Sequence, residues 1–256
     1  MSEPLLLVAN LVKRFEGIVA TDNLTLDVAA GEVHAVIGPN GAGKTTLINQ
    51  LGGQVTPDSG RIRFAGNDIT ALPIHRRSWL GLARSFQIAS LFLDLSVLDN
   101  VALAAQAQAG HSFHFWHDAR REPDLRQPAR AALARVGLAH RADLPASVLS
   151  HGEHRLLELA MALAGQPRML LLDEPMAGLG PEESARMIEL LRALKRDLTI
   201  LLVEHDMEAV FALADRITVL VYGRAIASGT PEAIRANEEV RRAYLGEDDE
   251  GATART

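Results

Sequence analysis

Gly38-Pro39-Asn40-Gly41-Ala42-Gly43-Lys44-Thr45-Thr46 follows a short apolar run, Val33 to Ile37, and precedes a helical pattern that begins with Leu47 and Ile48. Its glycines let successive backbone amides point inward as an anion nest, while Lys44 can reach the β and γ phosphates and the Thr45 hydroxyl can ligate Mg²⁺. The spacing predicts a phosphate-binding loop and a nucleoside triphosphate ligand. A glycine turn that only joined strand to helix would not need lysine and then threonine directly after its last glycine.

Two further groups could turn binding into chemistry. Met169 to Leu172 lead into Asp173-Glu174-Pro175, which puts two carboxylates at the carboxyl end of a buried strand, where ligands of open α/β sheets collect. Asp173 is placed to hold Mg²⁺ or its water shell, and Glu174 to polarise the water that attacks the γ phosphate. Leu149-Ser150-His151-Gly152-Glu153 opens a helix through Arg155, Leu156 and Leu159. Ser150 with Glu153 three residues on is a capping box, yet a helix start with a serine hydroxyl and an unhindered Gly152 amide is also an anion site.

The elements that must position these residues follow from periodicity. Strands are expected at Leu5–Ala9, Leu24–Val28, Val33–Ile37 and Arg61–Ala65, separated by turn residues. Alanine and leucine then recur at helical spacing in Val97–Ala109, Pro128–Val136 and Arg155–Ala164. Afterwards the pattern alternates: strand Met169–Leu172, helix Pro181–Arg196, strand Thr199–Val203, helix Met207–Ala214, strand Arg216–Tyr222. Such alternation predicts an α/β fold with a mostly parallel sheet. The last ten residues, 247–256, are polar and charged enough to be expected disordered.

Composition narrows the class. The 256 residues are 48% hydrophobic, enough for a sizeable core, and carry a net charge of −6 with no cysteine. Disulfides and thiolate metal sites are thereby excluded, and the acidic balance argues against nucleic acid as a partner. The N-terminal Leu5-Leu6-Leu7-Val8 is too short an apolar run for a secretory signal. No window reaches the roughly 18 apolar residues of a membrane span, so a cytoplasmic protein is expected, with any membrane role supplied by a separate subunit. His111, His114 and His117, among Phe113, Phe115 and Trp116, read as part of a surface insertion rather than a metal site.

With these motifs in place the sequence resembles the ATP-binding-cassette (ABC) ATPases. Leu149–Glu153 looks like the signature motif of that family, 23 residues before Asp173 counting from Ser150. Gln87, in Arg84-Ser85-Phe86-Gln87, matches the glutamine that contacts Mg²⁺ and the attacking water. His205, in Glu204-His205-Asp206, matches the switch histidine at the γ phosphate, and Phe15 matches the aromatic residue that stacks on adenine. The resemblance spans about residues 5 to 246 with every motif in family order. It implies a P-loop NTPase core with an antiparallel β subdomain and a helical signature subdomain at about 89–164, all within one ATP-binding domain, 1–246. Within the superfamily, Arg84–Gln87 with Leu91-Phe92, Val97–Val101, Glu204–Met207 and Ala243-Tyr244-Leu245-Gly246 are most similar to the ATPases of branched-chain amino acid importers. Lipopolysaccharide-export ATPases share part of that ending and remain a competitor, as does a soluble ABC ATPase.

The resemblance implies a head-to-tail dimer in which ATP on the Lys44 loop of one protomer is completed by Ser150, Gly152 and Glu153 of another. Implied partners are integral membrane permease subunits, a second ABC ATPase subunit and, indirectly, a periplasmic solute-binding protein. The implied place is the inner face of the cell membrane. The apolar stretch Ile88–Leu95 is a candidate surface for a permease helix. Two departures stand out: His151 within the signature, and Gly180 where the family commonly has aspartate, from which weakened cross-talk to the partner's site is expected.

Overall fold

The computed structural model describes residues 3–85, 91–109 and 123–243. Gln87, the histidine-rich segment, Tyr244 to Gly246 and the acidic tail lie outside the described residues. In chain order the elements are β1 (Leu6–Phe15), β2 (Ile18–Val28), β3 (Val33–Ile37), α1 (Lys44–Gly52), β4 (Ser59–Phe64), β5 (Asn67–Asp68), α2 (Ile74–Trp79), β6 (Leu82–Arg84) and α3 (Val97–Ala109). They continue with α4 (Pro123–Arg135), α5 (His151–Ala164), β7 (Met169–Asp173), α6 (Pro181–Leu194), β8 (Thr199–Val203), α7 (Met207–Leu213), β9 (Arg216–Val221), β10 (Arg224–Gly229) and α8 (Pro231–Ala236).

Among the described residues two sheets form. One is antiparallel, in the order β2-β1-β4-β5; the other runs β10-β9-β3-β8-β7-β6, parallel from β9 to β6, with β10 antiparallel at the edge. Strands β3, β7 and β8 are buried at every position, which is why they read as near-continuous apolar runs. Alternate residues of β7 and β8 serve two cores. Leu170, Leu172, Ile200 and Leu202 pack with α3 to α7, whereas Leu171, Leu201 and Val203 pack with Leu47, Ile48 and Leu51 of α1 and with Leu6 and Phe64 of the antiparallel sheet. Helix α1 is thus held between the two sheets.

Two strands are longer than expected. Register shifts between Val8 and Leu11 and between Leu11 and Lys13 break the two-residue period of β1, so the apolar alternation stops at Ala9 although pairing continues to Phe15. Its partner β2 begins at Ile18 rather than Leu24, and Ile18, Val19 and Asn23 in that outer half are exposed. Helix α6 stops at Leu194 rather than Arg196, with Lys195 as its C-cap. The helices α2 and α8 and the short strands β5 and β6 carry too few periodic residues to have been read. No helix among the described residues is long and apolar enough to cross a membrane.

Candidate active site

The order β3-β8-β7-β6 sets the site, because the loops leaving the carboxyl ends of adjacent parallel strands converge. Gly38 to Gly43 leave β3 and Lys44 starts α1. Gly41 and Gly43 hold positive φ of 77° and 100°, and a Cβ on Gly43 would lie 2.1 Å from the Ala20 carbonyl oxygen. Only glycine tolerates both demands. The amide of Gly223, in the β9–β10 turn, donates to the Ala42 carbonyl at 2.9 Å. The loop is therefore gripped from β2 and from the end of β9. Lys44 is buried, and its ammonium donates to the Gly38 and Pro39 carbonyls at 2.5 and 2.9 Å. Thr45 is exposed and Thr46 half-buried in the first turn of α1, whose free amides and dipole favour an anion; Pro39 and Asn40 form the outer lip.

Asp173 ends β7, and the Glu174 amide donates to the Val203 carbonyl of β8 at 2.8 Å. Glu174 sits in the left-handed region at φ 50°, as do Asn10, Ala65 and Gln166 elsewhere, a placement that costs a non-glycine residue about 1–3 kcal/mol. From β8, His205 brings its Nδ1 to 3.8 Å from Glu174 Oε1, and the imidazole is two-thirds exposed at 66%. Carboxylate and imidazole thus converge beside the loop. Burial pushes the Asp173 carboxyl above its usual range; Arg84 opposes that push, Glu174 adds to it and Lys44 opposes it again. One Asp173 oxygen accepts from Arg84 Nη2 at 3.1 Å, while Oδ1 is buried without a hydrogen-bond partner among the described residues. A cation, or water bound to one, would satisfy that oxygen, so the donor set of Asp173 and Thr45 fits Mg²⁺.

Ser150, Gly152 and Glu153 stand in a second constellation at the start of α5. The Ser150 hydroxyl accepts from the Glu153 amide at 3.2 Å and the Glu153 carboxylate accepts from the Ser150 amide at 2.9 Å, the expected capping box. Arg141 Nε also donates to Glu153 at 3.0 Å. The Ser150 amide and the Arg141 guanidinium hold the Glu153 carboxyl below its usual range against a smaller opposing push from burial. Gly152 is buried, and a Cβ there would lie 2.3 Å from a Glu183 carboxylate oxygen. His151 borders Gly178, where a Cβ would lie 3.0 Å from its Nε2. Gly180 is extended at φ −73°, with a virtual Cβ no closer than 4.0 Å to Glu183. Nothing in the backbone requires glycine at that position.

The comparisons with known proteins decide the family. A profile described as ABC transporter matches residues 21–177, more than half of the chain. The chain belongs to the ABC transporter family. A second profile, the branched-chain amino acid ATP-binding cassette transporter, matches residues 226–250 of this cassette. It is 40% identical to the high-affinity branched-chain amino acid transport ATP-binding protein LivG of Salmonella typhimurium, over 96% of this chain and 100% of that one. BraF of Pseudomonas aeruginosa, described in the same words, is 39% identical over the same shares. Among solved structures, the ADP conformation of MJ1267, an ATP-binding cassette of an ABC transporter, superposes with a TM-score of 0.85 at 29% identity, covering 96% and 100% of the two chains.

Several residues of this ABC ATPase that matter to the site carried no role in the sequence reading. Glu204 is buried and accepts from the amides of Met176, His205 and Asp206 at 3.0, 2.9 and 3.2 Å, which ties the loop after β7 to the loop after β8. Arg84 ends β6 and bonds Asp173. A cleft of about 390 Å³ lies between α2, β6, α3 and α5, lined by Trp79, Arg84, Ala104, Gln108 and Met161. Of the stretch Ile88–Leu95, the first three residues lie outside the described region. Leu91 and Leu95 are half-buried, and Phe92 and Leu93 are exposed. The apolar run therefore divides between packing and surface.

Proposed function

We propose that the chain is the ATP-hydrolysing subunit of an importer of branched-chain amino acids or related small polar solutes. The observation that carries the catalytic half is the Glu174–His205 pair, 3.8 Å apart at the ends of neighbouring strands beside the Lys44 loop. Glu174 takes up the proton of the attacking water, and His205 holds the γ phosphate against it. Backbone amides from Asn40 to Thr46 and the Lys44 ammonium hold the phosphates. Phe15, 45% exposed at the end of β1, offers its ring to adenine. Mg²⁺ held by Thr45 and Asp173 would neutralise charge on the β and γ phosphates, a role in which the family resemblance also implies Gln87. The solute is supported by the names of full-length relatives and by the C-terminal profile.

In this reading Ser150, Gly152 and Glu153 of one protomer complete the nucleotide site of another cassette. The triphosphate bridges the two chains and favours the closed pair through differential affinity. Residues 1–246 form the working domain, with the signature carried on the helical part at about 89–164. The cleft beside Trp79 receives a cytoplasmic helix of a membrane permease, and the chain works peripherally at the inner face of the membrane.

The test is Glu174→Gln in the assembled transporter. ATP turnover should fall by about 10²–10⁴-fold, the usual contribution of a general base, and a sandwiched dimer should accumulate with ATP when the companion cassette is supplied. Leucine uptake should cease in parallel. Normal turnover, or no trapped pair by size-exclusion chromatography, would remove this function.

A further inference from the structure

We infer that Arg84 is a positioning residue for the metal-side carboxylate, fixing one oxygen of Asp173 so that the other is left for a cation or its water, and tying that carboxylate to the apolar cleft. The inference rests on the reading of Asp173 as the carboxylate that faces Mg²⁺.

The geometry is a three-way junction. Arg84 Nη2 donates to Asp173 Oδ2 at 3.1 Å, Nη1 donates to Asn49 Oδ1 at 2.6 Å, and Nη1 also contacts Gln54 Oε1. Asn49 belongs to α1, the helix that Lys44 and Thr45 begin. One planar guanidinium therefore sets the end of β7 against the phosphate-loop helix, a task for which the fixed fork of arginine is suited and the single ammonium of lysine less so. The same side chain lines the cleft with Trp79, Gln108 and Met161. Anything that presses into the cleft meets the group that orients Asp173.

Stability alone does not explain the arrangement. The ion pair is almost fully buried, 9% and 1% exposed at the two side chains, and Arg84 Nε has no hydrogen-bond partner among the described residues. Buried pairs of this kind return little net stability, because desolvation offsets the attraction. What the pair does supply is a fixed carboxylate. Groups that orient a metal ligand commonly change metal affinity when removed.

The experiment uses the purified full chain and a fluorescent ATP analogue, titrated with Mg²⁺. Arg84→Gln and Arg84→Met should raise the Mg²⁺ concentration for half-maximal nucleotide binding by about 10- to 100-fold. Arg84→Lys should recover part of the loss. Thermal unfolding without nucleotide or metal is measured alongside; a merely structural role would lower the melting temperature and leave the Mg²⁺ requirement where it was. If Asp173→Asn shifts the requirement and the Arg84 variants do not, the inference fails while the reading of Asp173 stands. If Asp173→Asn also leaves it unmoved, both fail. A lowered requirement in Arg84→Gln would show a cation competing with Mg²⁺, and would overturn positioning as well.

Discussion

Glycines of this chain are not equivalent, and the difference yields a prediction about how two cassettes speak to one another. Gly43 is fixed by both its φ of 100° and the approach of the Ala20 carbonyl, so any side chain there displaces the phosphate loop. Gly180 has neither constraint. It is the N-cap of α6 and already gives its amide to Glu183 at 3.2 Å. Aspartate is a better N-cap than glycine by only a few tenths of a kcal/mol, so Gly180→Asp should leave urea stability almost unchanged. Its effect should appear in the assembled pair, as increased cooperativity of ATP turnover; an identical Hill coefficient would end the idea that this position mutes cross-talk. The phosphate loop was legible because its chemistry lies within nine consecutive residues. Glu204 and Arg84 were not, because what gives them meaning is a partner 28 or 89 residues away in sequence.

Among the elements, those facing a core on a regular period were readable from sequence, and those held by polar contacts were not. Strands β3, β7 and β8 announce themselves by continuous burial, and α6 by its stripe of Met187, Leu191 and Leu194. Helix α2 has no such stripe. Its anchor is Arg77, 2% exposed, which donates to the carbonyls of Leu72, Gln50, Leu51 and Thr70 at 2.8, 2.6, 2.8 and 3.0 Å. Two of those carbonyls terminate α1, where a cation also meets the negative end of the helix dipole. Burial lowers the Arg77 guanidinium to about 10, still a cation near neutral pH. Arg77→Leu would leave several buried carbonyls unsatisfied, at about 1–3 kcal/mol each before relaxation. A loss of at least about 3 kcal/mol in urea unfolding is expected, with weaker nucleotide binding because α1 carries Lys44. A variant as stable as the parent would mean that water replaces the guanidinium.

For the molecule as a whole, a polar chain that runs from exposed Asp27 to buried His34 links the two sheets on the side away from the nucleotide, and it carries a pH signature. Asp27, at the end of β2, accepts from Arg216 of β9 at 2.8 Å; Arg216 also donates to Glu32 at 2.9 Å. Glu32 further accepts from His34 Nδ1 at 2.9 Å and from the Ala29 amide at 2.8 Å, and His34 Nε2 meets the Thr218 hydroxyl at 2.8 Å. Burial pushes the Glu32 carboxyl up, but the His34 and Ala29 hydrogen bonds and the Arg216 charge outweigh it and hold the group below its ordinary 4.5. The unfolded chain therefore binds the proton more readily than the folded one does. Stability from Glu32 is complete above its unfolded value and is lost as pH falls through the folded value. Asp58, Asp68 and Glu153 are depressed in the same direction, so acid destabilisation of the parent alone would not single out this site. The difference between parent and Glu32→Gln does, since those other carboxylates are common to both. Glu32→Gln should be less stable than the parent near neutral pH, and the gap should close as the pH is lowered through the carboxylate range. Urea unfolding of both proteins across a pH series measures it. Two curves that stay parallel would show that Glu32 titrates alike in the folded and unfolded chains, and the junction between the sheets would then owe nothing to its charge.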